Sequence, residues 1–319
     1  MTPAIAAALA LTTPSCAVAQ PLTPFVEQGK WGFKDSAGQV AIAPRFESAS
    51  PFNDGLASVV ESGKTVFING SGRIVLRPAF DVVKDFSEGL AAVNIGERRI
   101  PNIGLIKETG RWGYIDRTGR LVLPMKFTQA DSFSEGLAAV HEGKRSGFID
   151  RNGKMVFEAP FDVSWGFQDG FALVKTNLKM MYLDRRGRRL KTPPLDDNSN
   201  GGNFSEGLAA VEIGDKWGYI DKSGALVIPA IYYDVGPFSD GLAAAEPMDS
   251  GTERTCVTSA TSSYSFRRAY GYIDKTGRMV IPPSYQYADP FTGGLAHVST
   301  CDKASFIDKS GRVVRESSE

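Results

Sequence analysis

The sequence repeats itself with a period of 34 residues, which restricts the chain to folds built from copies of one small unit. Asp116, Asp150 and Asp184 follow one another at this spacing, and each ends a short aromatic segment. The equivalent positions along the chain are Asp35, Asn69, Asp116, Asp150, Asp184, Asp221, Asp274 and Asp308. Periods of this length are typical of solenoids, propellers and other repeat arrays. The spacing therefore predicts seven full units and a terminal half unit.

Each unit has the sequence pattern of short β-strands joined by tight turns. In the unit from Lys216 onward, Trp-Gly-Tyr-Ile-Asp is short, aromatic and alternating, which favours a strand. The Asp-x-x-Gly that follows favours a hairpin turn, and Val-Ile-Pro then forms a second strand. A Ser-Asp-Gly turn leads into a third strand, Leu-Ala-Ala. With 34 Gly and 18 Pro in the chain, long helices are disfavoured, and we expect an all-β fold of three-stranded antiparallel units.

Two segments carry a resemblance to a known family. Residues 111–120 read Arg-Trp-Gly-Tyr-Ile-Asp-Arg-Thr-Gly-Arg, and residues 133–140 read Phe-Ser-Glu-Gly-Leu-Ala-Ala-Val. Together they resemble the WG (KWG) repeat family of bacterial Trp-Gly β-repeat proteins, and the resemblance covers residues 25–319. The family resemblance implies a repeat scaffold that acts as an interaction module, with no shared catalytic residues.

The arrangement of the units follows from burial. One three-stranded unit cannot bury its apolar face alone, so neighbouring units must stack. We expect an open, solenoid-like β-repeat array, because the repeat is short for a four-stranded propeller blade; the alternative is a closed, propeller-like ring. The Asp-x-x-Gly and Ser-Glu-Gly turns should lie at one end of the array. The loops before Trp-Gly should lie at the other end, together with two insertions at residues 94–110 and 246–269.

The first nineteen residues have features of a secretory signal peptide. They contain no charged side chain, include the apolar run from Ile5 to Leu11, and end in the small-x-small pattern Ala17-Val18-Ala19. The positive charge expected near Met1 is missing, and the alternative is a disordered tail. We predict a signal peptide at residues 1–19, a single repeat array at residues 20–319, and export to the periplasm or the extracellular space.

Candidate binding residues lie in the insertions and in one basic segment. We predict that Arg98, Arg99, Tyr264, Phe266, Arg267 and Arg268 contribute to a partner-binding surface. A basic patch could contact an anionic polymer, or it could be a solvated hairpin; its residues are Arg185, Arg186, Arg188 and Arg189. If signal cleavage removes Cys16, Cys256 and Cys301 remain as an even pair in adjacent units, which predicts a disulfide between them.

The composition limits the function classes. Lys plus Arg and Asp plus Glu are both 36, so the basic excess that nucleic-acid binding requires is absent. The residues form no recognisable catalytic, metal-ligating or cofactor-binding constellation, so we expect no enzyme activity, cofactor or metal. We also expect no transmembrane segment. The sequence predicts a non-catalytic exported scaffold that binds a protein or an envelope polymer. The alternative is a self-associating structural protein of the cell envelope, and a hydrolytic enzyme is the weakest candidate.

Overall fold

A computed structural model describes most of the chain. The described residues are 22–96, 98–99, 106–107, 110–195, 200–248, 254–259, 262–266, 269–301 and 303–316. For residues 98–99, 106–107, 254–259 and 262–266 only the backbone is described. All regular secondary structure within these residues is β-strand.

The strands are short and number thirty-two in the described residues. The first sixteen are β1 (Thr23–Glu27), β2 (Lys30–Lys34), β3 (Val40–Phe46), β4 (Ser48–Ala49), β5 (Leu56–Glu61), β6 (Lys64–Asn69), β7 (Ile74–Leu76), β8 (Val82–Val83), β9 (Leu90–Ile95), β10 (Arg98–Arg99), β11 (Ile106–Lys107), β12 (Arg111–Asp116), β13 (Leu121–Phe127), β14 (Gln129–Ala130), β15 (Leu137–Glu142) and β16 (Arg145–Asp150). The others are β17 (Met155–Glu158), β18 (Val163–Gln168), β19 (Phe171–Thr176), β20 (Lys179–Asp184), β21 (Leu208–Ile213), β22 (Lys216–Asp221), β23 (Leu226–Val235), β24 (Leu242–Pro247), β25 (Arg254–Ser259), β26 (Ser262–Phe266), β27 (Tyr270–Asp274), β28 (Met279–Tyr285), β29 (Tyr287–Ala288), β30 (Leu295–Ser299), β31 (Ala304–Asp308) and β32 (Val313–Glu316).

These strands form seven antiparallel sheets and two separate hairpins. In chain order, we name them sheet 1 (β1–β3), sheet 2 (β4–β7), sheet 3 (β8, β9, β12, β13), sheet 4 (β14–β17), sheet 5 (β18–β20), sheet 6 (β21–β24, β27, β28) and sheet 7 (β29–β32). Sheet 6 contains two repeat units, which the long strand β23 connects. The hairpins β10–β11 and β25–β26 belong to the two insertions.

A typical unit has four strands, so the expectation of three strands was incomplete. In sheet 4 the central strands β15 and β16 pair from Leu137↔Asp150 to Glu142↔Arg145. The strand on the outer side, β17, has four residues, and the strand on the inner side, β14, has only two. Because the inner strand is so short, the repeat is long enough for a four-stranded blade.

The expectation of an open array was wrong, because the sheets are arranged as the blades of a β-propeller ring. One common cavity is lined by Gln168 of sheet 5, by Asn203 and Pro237 of the two units of sheet 6, and by Pro290, which lies between β29 and β30 of sheet 7. Packed sheets lie about 10 Å apart, so residues from four units of a straight stack would not converge in this way. They converge because successive units are rotated relative to one another about a common axis.

The core lies between consecutive units and is built from pairs of aromatic rings. A Phe or Tyr in the Trp-Gly strand of one unit packs against the Phe that precedes the Gly-Leu-Ala strand of the next. The ring centroids of each pair are 4.8 to 5.2 Å apart, and the pairs are Phe33–Phe52, Phe67–Phe86, Tyr114–Phe133, Phe148–Phe167, Tyr182–Phe204, Tyr219–Phe238 and Tyr272–Phe291. The first ring of every pair is at most 1% exposed. These contacts hold successive units together.

Candidate functional site

One rim of the ring, which we call the turn rim, contains the Asp-x-x-Gly turns. In the turn after β12, the Asp116 carboxylate accepts hydrogen bonds from the N–H of Thr118 at 2.9 Å and of Arg120 at 3.1 Å. Gly119 has a φ of +83°, which favours glycine. The hydrogen bond from the Thr118 hydroxyl is the main reason why the pKa of Asp116 lies below its usual value. The Asp116 carboxylate therefore stays ionised at neutral pH and stabilises its own turn.

A second set of carboxylates on the turn rim connects consecutive units, and we call them the joint carboxylates. They are Asp54, Glu88, Glu135, Asp169, Glu206 and Asp240. Glu135, for example, accepts a hydrogen bond at 3.1 Å from the N–H of Gly170 in the next unit. Arg185 of that unit lies 3.4 Å from the same carboxylate. The turn rim is thus occupied largely by contacts between the units themselves.

All six joint carboxylates belong to residues in the left-handed backbone conformation, with φ between 52° and 55°. Non-glycine residues rarely adopt this conformation, which costs about 1 kcal/mol relative to glycine. An acidic side chain stands at these positions because its carboxylate accepts a hydrogen bond from a glycine N–H of the next unit. The sequence contained this signal as the acid before six of the seven glycines that open the Gly-Leu-Ala and Gly-Phe-Ala strands; the exception is Gly294, which follows Gly293.

Replacing Asp169 by asparagine is expected to lower the free energy of unfolding by about 1 kcal/mol at neutral pH. Partial burial opposes the ionisation of Asp169, but hydrogen bonds from Lys222 and from the N–H of Gly207 outweigh it and hold its pKa below the ordinary value. A lowered pKa stabilises the fold above the unfolded-state pKa of about 3.9, and this stabilisation is lost as the pH falls through the folded-state pKa. Urea denaturation at several pH values measures the difference.

The matched control for Asp169→Asn is Asp215→Asn. Asp215 is exposed and also left-handed, with a φ of 59°, so both substitutions carry the same backbone cost. The control should change stability by less than about 0.5 kcal/mol. A stability difference for Asp169→Asn that stays constant between pH 7 and pH 3 would contradict the role of its charge.

The basic patch predicted from the sequence lies on the turn rim and is partly engaged in ion pairs. Arg185 pairs with Glu135 at 3.4 Å, and Arg188 pairs with Asp184 at 2.7 Å. Arg186 and Arg189 are exposed. Binding of an anionic polymer by these four arginines stays a prediction.

The opposite rim, which we call the insertion rim, contains the hairpin loops between the two central strands of each unit. Both insertions lie here, between β9 and β12 and between β24 and β27. Arg98 and Arg99 form β10 and pair with Lys107 and Ile106 of β11.

The second insertion forms a longer hairpin on the insertion rim. Tyr264 and Phe266 lie in β26, opposite Cys256 and Arg254 of β25. The side chains of both hairpins and the whole of Arg267 and Arg268 lie outside the described residues. Partner binding by the predicted residues of the two insertions therefore remains untested.

The two cysteines of the predicted disulfide belong to neighbouring units and lie on the insertion rim. Cys301 lies in the loop between β30 and β31 of sheet 7, and Cys256 belongs to the insertion of the preceding unit. The side chain of Cys256 lies outside the described residues. The pairing therefore stays a prediction.

Sequence analysis did not find the cavity near the ring axis, which has a volume of about 450 Å³. Trp217, Asn203 and Pro237 are among its lining residues. The side-chain oxygen of Asn203 is buried there and has no hydrogen-bond partner within the described residues. The cavity walls come from segments of the chain more than 100 residues apart, which no local motif reveals. The one available signal is the position before the Phe of each Phe-x-x-Gly turn, where Asn203, Pro237 and Pro290 stand.

Four buried tyrosines add hydrogen bonds between consecutive units. The Tyr114 hydroxyl donates to the carbonyl oxygen of Asp131 at 2.7 Å, and the Tyr219 hydroxyl donates to that of Gly236 at 2.7 Å. Tyr182 and Tyr272 make the equivalent bonds. Burial raises the pKa of all four hydroxyls. These tyrosines therefore stay neutral at physiological pH and act as structural donors.

The repeated unit decides the family. The family model described as 'WG containing repeat' matches this chain seven times, at residues 31–64, 67–98, 112–144, 147–179, 200–217, 217–246 and 270–300. The chain belongs to the WG-repeat family. Its Trp-Gly strands are the second central strands of the units, and its Gly-Leu-Ala strands are the first. A search of curated proteins finds no match to this WG-repeat protein.

Solved structures resemble the WG-repeat chain in fold but not closely in sequence. A crystal structure of a eukaryotic initiation factor has a TM-score of 0.53 and 14% identity, covering 93% of this chain and 96% of that one. PorZ, a surface component of the type-IX secretion system of Porphyromonas gingivalis, has a TM-score of 0.34 and 12% identity, covering 91% of this chain and 44% of that one. The first likeness concerns the fold alone, and the second is too distant to add to it.

The described residues were also searched for membrane-spanning helices and for clusters of metal ligands. No helix among them could span a lipid bilayer. No three His, Cys, Asp or Glu side chains among them converge as metal ligands. His141 and His297 lie in different sheets, β15 of sheet 4 and β30 of sheet 7. The pKa of His141 is lowered, mainly by burial.

Proposed function

We propose that this WG-repeat propeller is an exported, non-catalytic scaffold that binds a partner protein or envelope polymer through its insertion rim. The observation that carries the proposal is that both insertions extend as hairpins from the same rim. The carboxylates of the opposite rim are occupied in joints between units. Binding surfaces are commonly built from loops that a rigid scaffold positions.

The charge distribution supports the insertion rim over the turn rim. The insertions bring Arg98 and Arg99 together on one two-residue strand, and Arg267 and Arg268 follow the second hairpin in the sequence. Arginine and aromatic side chains are enriched among the residues that contribute most to binding at interfaces. On the turn rim, by contrast, Arg117, Arg185, Lys222 and Lys275 pair with joint carboxylates.

Replacing Arg98 and Arg99 by alanine is expected to weaken partner capture from envelope extracts at least tenfold, because each truncated anchor commonly costs more than about 1 kcal/mol. The matched control replaces Arg186 and Arg189, which are exposed on the turn rim, and should leave capture unchanged. Quantitative pull-down with the full chain measures both. Equal capture by the two double variants would overturn the assignment of the insertion rim.

Export is supported by the leader-like sequence of residues 1–19 and by the cysteines. Cys301 lies in the loop between β30 and β31, in the unit next to the insertion that contains Cys256. Cys256 is the partner that remains if the leader is removed together with Cys16. Mass spectrometry of non-reduced peptides identifies the partner, and two free thiols in the exported protein would contradict the pairing.

A second candidate function is self-association as a structural envelope protein. The observation that favours it is the outer edge of the last sheet, where Val313 and Val314 of β32 are 55% and 51% exposed. An exposed strand edge can pair with another chain. Size-exclusion chromatography with light scattering distinguishes the candidates, because a binding scaffold elutes as a monomer and a self-associating protein elutes as larger species that grow with concentration.

A further inference from the structure

The cavity near the ring axis lies where other units place a side chain. The position concerned is two residues before the Phe of each Phe-x-x-Gly turn. Asp131 and Gly202 are equivalent there, because the N–H of each donates to a carbonyl oxygen of the first central strand at 2.9 Å. The residues at this position are Ser50, Lys84, Asp131, Trp165, Gly202, Gly236 and Asp289. The two consecutive glycines, Gly202 and Gly236, both line the cavity. Two neighbouring units thus lack a side chain at the same position.

The joint between sheets 3 and 4 shows what the same position does when side chains are present. There Lys84 and Asp131 form an ion pair at 2.9 Å. The Lys84 ammonium lies 5.2 Å from the centroid of the Trp112 ring, and Trp112 is only 4% exposed. Trp217 is the equivalent of Trp112 in the first unit of sheet 6, where the two glycines replace the ion pair. Trp217 is accordingly less buried and lines the cavity.

Two side-chain amides add polar groups to the cavity. Gln168 stands where four other units have a serine that donates to the Phe carbonyl of the next unit, as Ser205 donates to Phe238 at 2.7 Å. Gln168 is instead exposed at the cavity wall. Asn203 stands where the next two units have proline, and its side-chain oxygen has no hydrogen-bond partner within the described residues. Rotation about the last side-chain bond brings either end of this amide to the cavity.

The lining of the cavity carries no charge. All of its lining residues belong to the described part of the chain, and none of them is Asp, Glu, Lys, Arg or His. A charged ligand would lose its hydration there without gaining an opposite charge, so the site favours an uncharged ligand. The volume of about 450 Å³ lies within the range of ordinary small-ligand sites, about 300–1,000 Å³. Trp217, Pro237 and Pro290 supply the apolar part of the wall.

We propose that this cavity binds an uncharged saccharide unit, with the sugar ring against Trp217 and its hydroxyl groups on Gln168 and Asn203. A pyranose ring carries C–H groups on its faces and hydroxyl groups along its edge, so it matches an aromatic wall flanked by amides. Each hydroxyl both donates and accepts hydrogen bonds, as the two ends of an amide require. Because the site lies near the ring axis and not on the insertion rim, it goes beyond the proposed function and does not depend on it.

Isothermal titration calorimetry of the purified protein with neutral saccharides tests the site. The probes are glucose, galactose, N-acetylglucosamine, cellobiose, lactose and N,N′-diacetylchitobiose, with glucuronic acid as the charged comparison. We expect saturable binding of at least one neutral probe and none of glucuronic acid. Gly202→Asp should abolish binding, because it places a charge in the cavity. The fold accepts it, since Asp131 holds the equivalent position and the nearest contact of a Cβ at Gly202 would be the Ala210 Cβ at 3.6 Å. Ser50→Asp, at the equivalent position of sheet 2, is the control and should bind normally.

Two further variants test the amides. Gln168→Ser and Asn203→Pro introduce residues that equivalent positions of other units already hold, so both proteins should fold normally. Each should weaken binding roughly tenfold, because a hydrogen bond to the ligand is lost. Asn53→Ser removes the equivalent amide of sheet 2, which does not line this cavity, and should leave binding unchanged.

Three results would overturn the proposal. One is that no neutral probe binds saturably, and another is that glucuronic acid binds as tightly as the neutral probes. The third is binding that persists in Gly202→Asp, or in both amide variants, when thermal unfolding shows that these proteins are folded. Capture through the insertion rim is measured separately with the Arg98 and Arg99 variants. Failure of either test is therefore distinguishable from failure of the other.

Discussion

Replacing Phe167 by alanine is expected to lower the free energy of unfolding by about 3–5 kcal/mol. Phe167 is fully buried between sheets 4 and 5, and its ring lies 5.0 Å from that of Phe148. Its removal leaves a cavity at a joint whose other side is formed by rigid strands. Denaturant unfolding followed by tryptophan fluorescence measures the loss.

The control for Phe167→Ala is Trp165→Ala, two residues earlier on the same strand. Trp165 is 45% exposed, so its removal eliminates a larger aromatic ring but much less buried area. Its expected effect is below about 1 kcal/mol. Because Trp165 itself contributes fluorescence, circular dichroism should be used to compare the two variants. Equal destabilisation by both would show that the joint between sheets 4 and 5 is not packed as described.

Replacing Gly218 by alanine is expected to cost about 2–3 kcal/mol, although the backbone there is ordinary for a strand. A Cβ at this position would lie 2.5 Å from the carbonyl oxygen of Ile228 and 2.7 Å from the nitrogen of Ala230. The neighbouring strand β23 has a β-bulge opposite the glycine. Tyr219 pairs with Ile228 but Trp217 pairs with Tyr232, so β23 has extra residues between these two pairs. Equivalent contacts below 2.8 Å occur at Gly32, Gly113, Gly147 and Gly271. This crossing explains why the Trp-Gly signature requires glycine.

The control for Gly218→Ala is Gly70→Ala. A Cβ at Gly70 would meet no atom within 4 Å, and its backbone is not left-handed. Alanine there should be neutral or stabilise the protein by up to about 1 kcal/mol, since it restricts the unfolded chain. Thermal unfolding of both variants tests the explanation. A neutral result for Gly218→Ala would show that the third strand moves aside easily.

Much of the local structure could be predicted from the sequence because it depends on neighbouring residues. The alternation in Trp-Gly-Tyr-Ile-Asp and the Asp-x-x-Gly turn place β22 and the hairpin that follows it. The two rims follow from the antiparallel links, and the pairing of Arg185 with Glu135 confirms that both kinds of turn share one rim.

The ring and its cavity could not be predicted, because they depend on contacts between distant segments. Inner strands such as Gln129–Ala130 have two residues, which is too short for a periodic signal. The wedge angle between units is set by how rings such as Tyr114 and Phe133 pack, and the repeat period is compatible with either an open or a closed arrangement.

Small-angle X-ray scattering of the purified protein tests the ring most directly. A compact propeller of about 300 residues should give a radius of gyration of about 20 Å. An open stack of the same units at about 10 Å spacing would be roughly 80 Å long and would give about 25 Å. The smaller radius of gyration, with a single symmetric peak in the distance distribution, is the expected result. The larger radius, with an extended tail in that distribution, would contradict the closed arrangement.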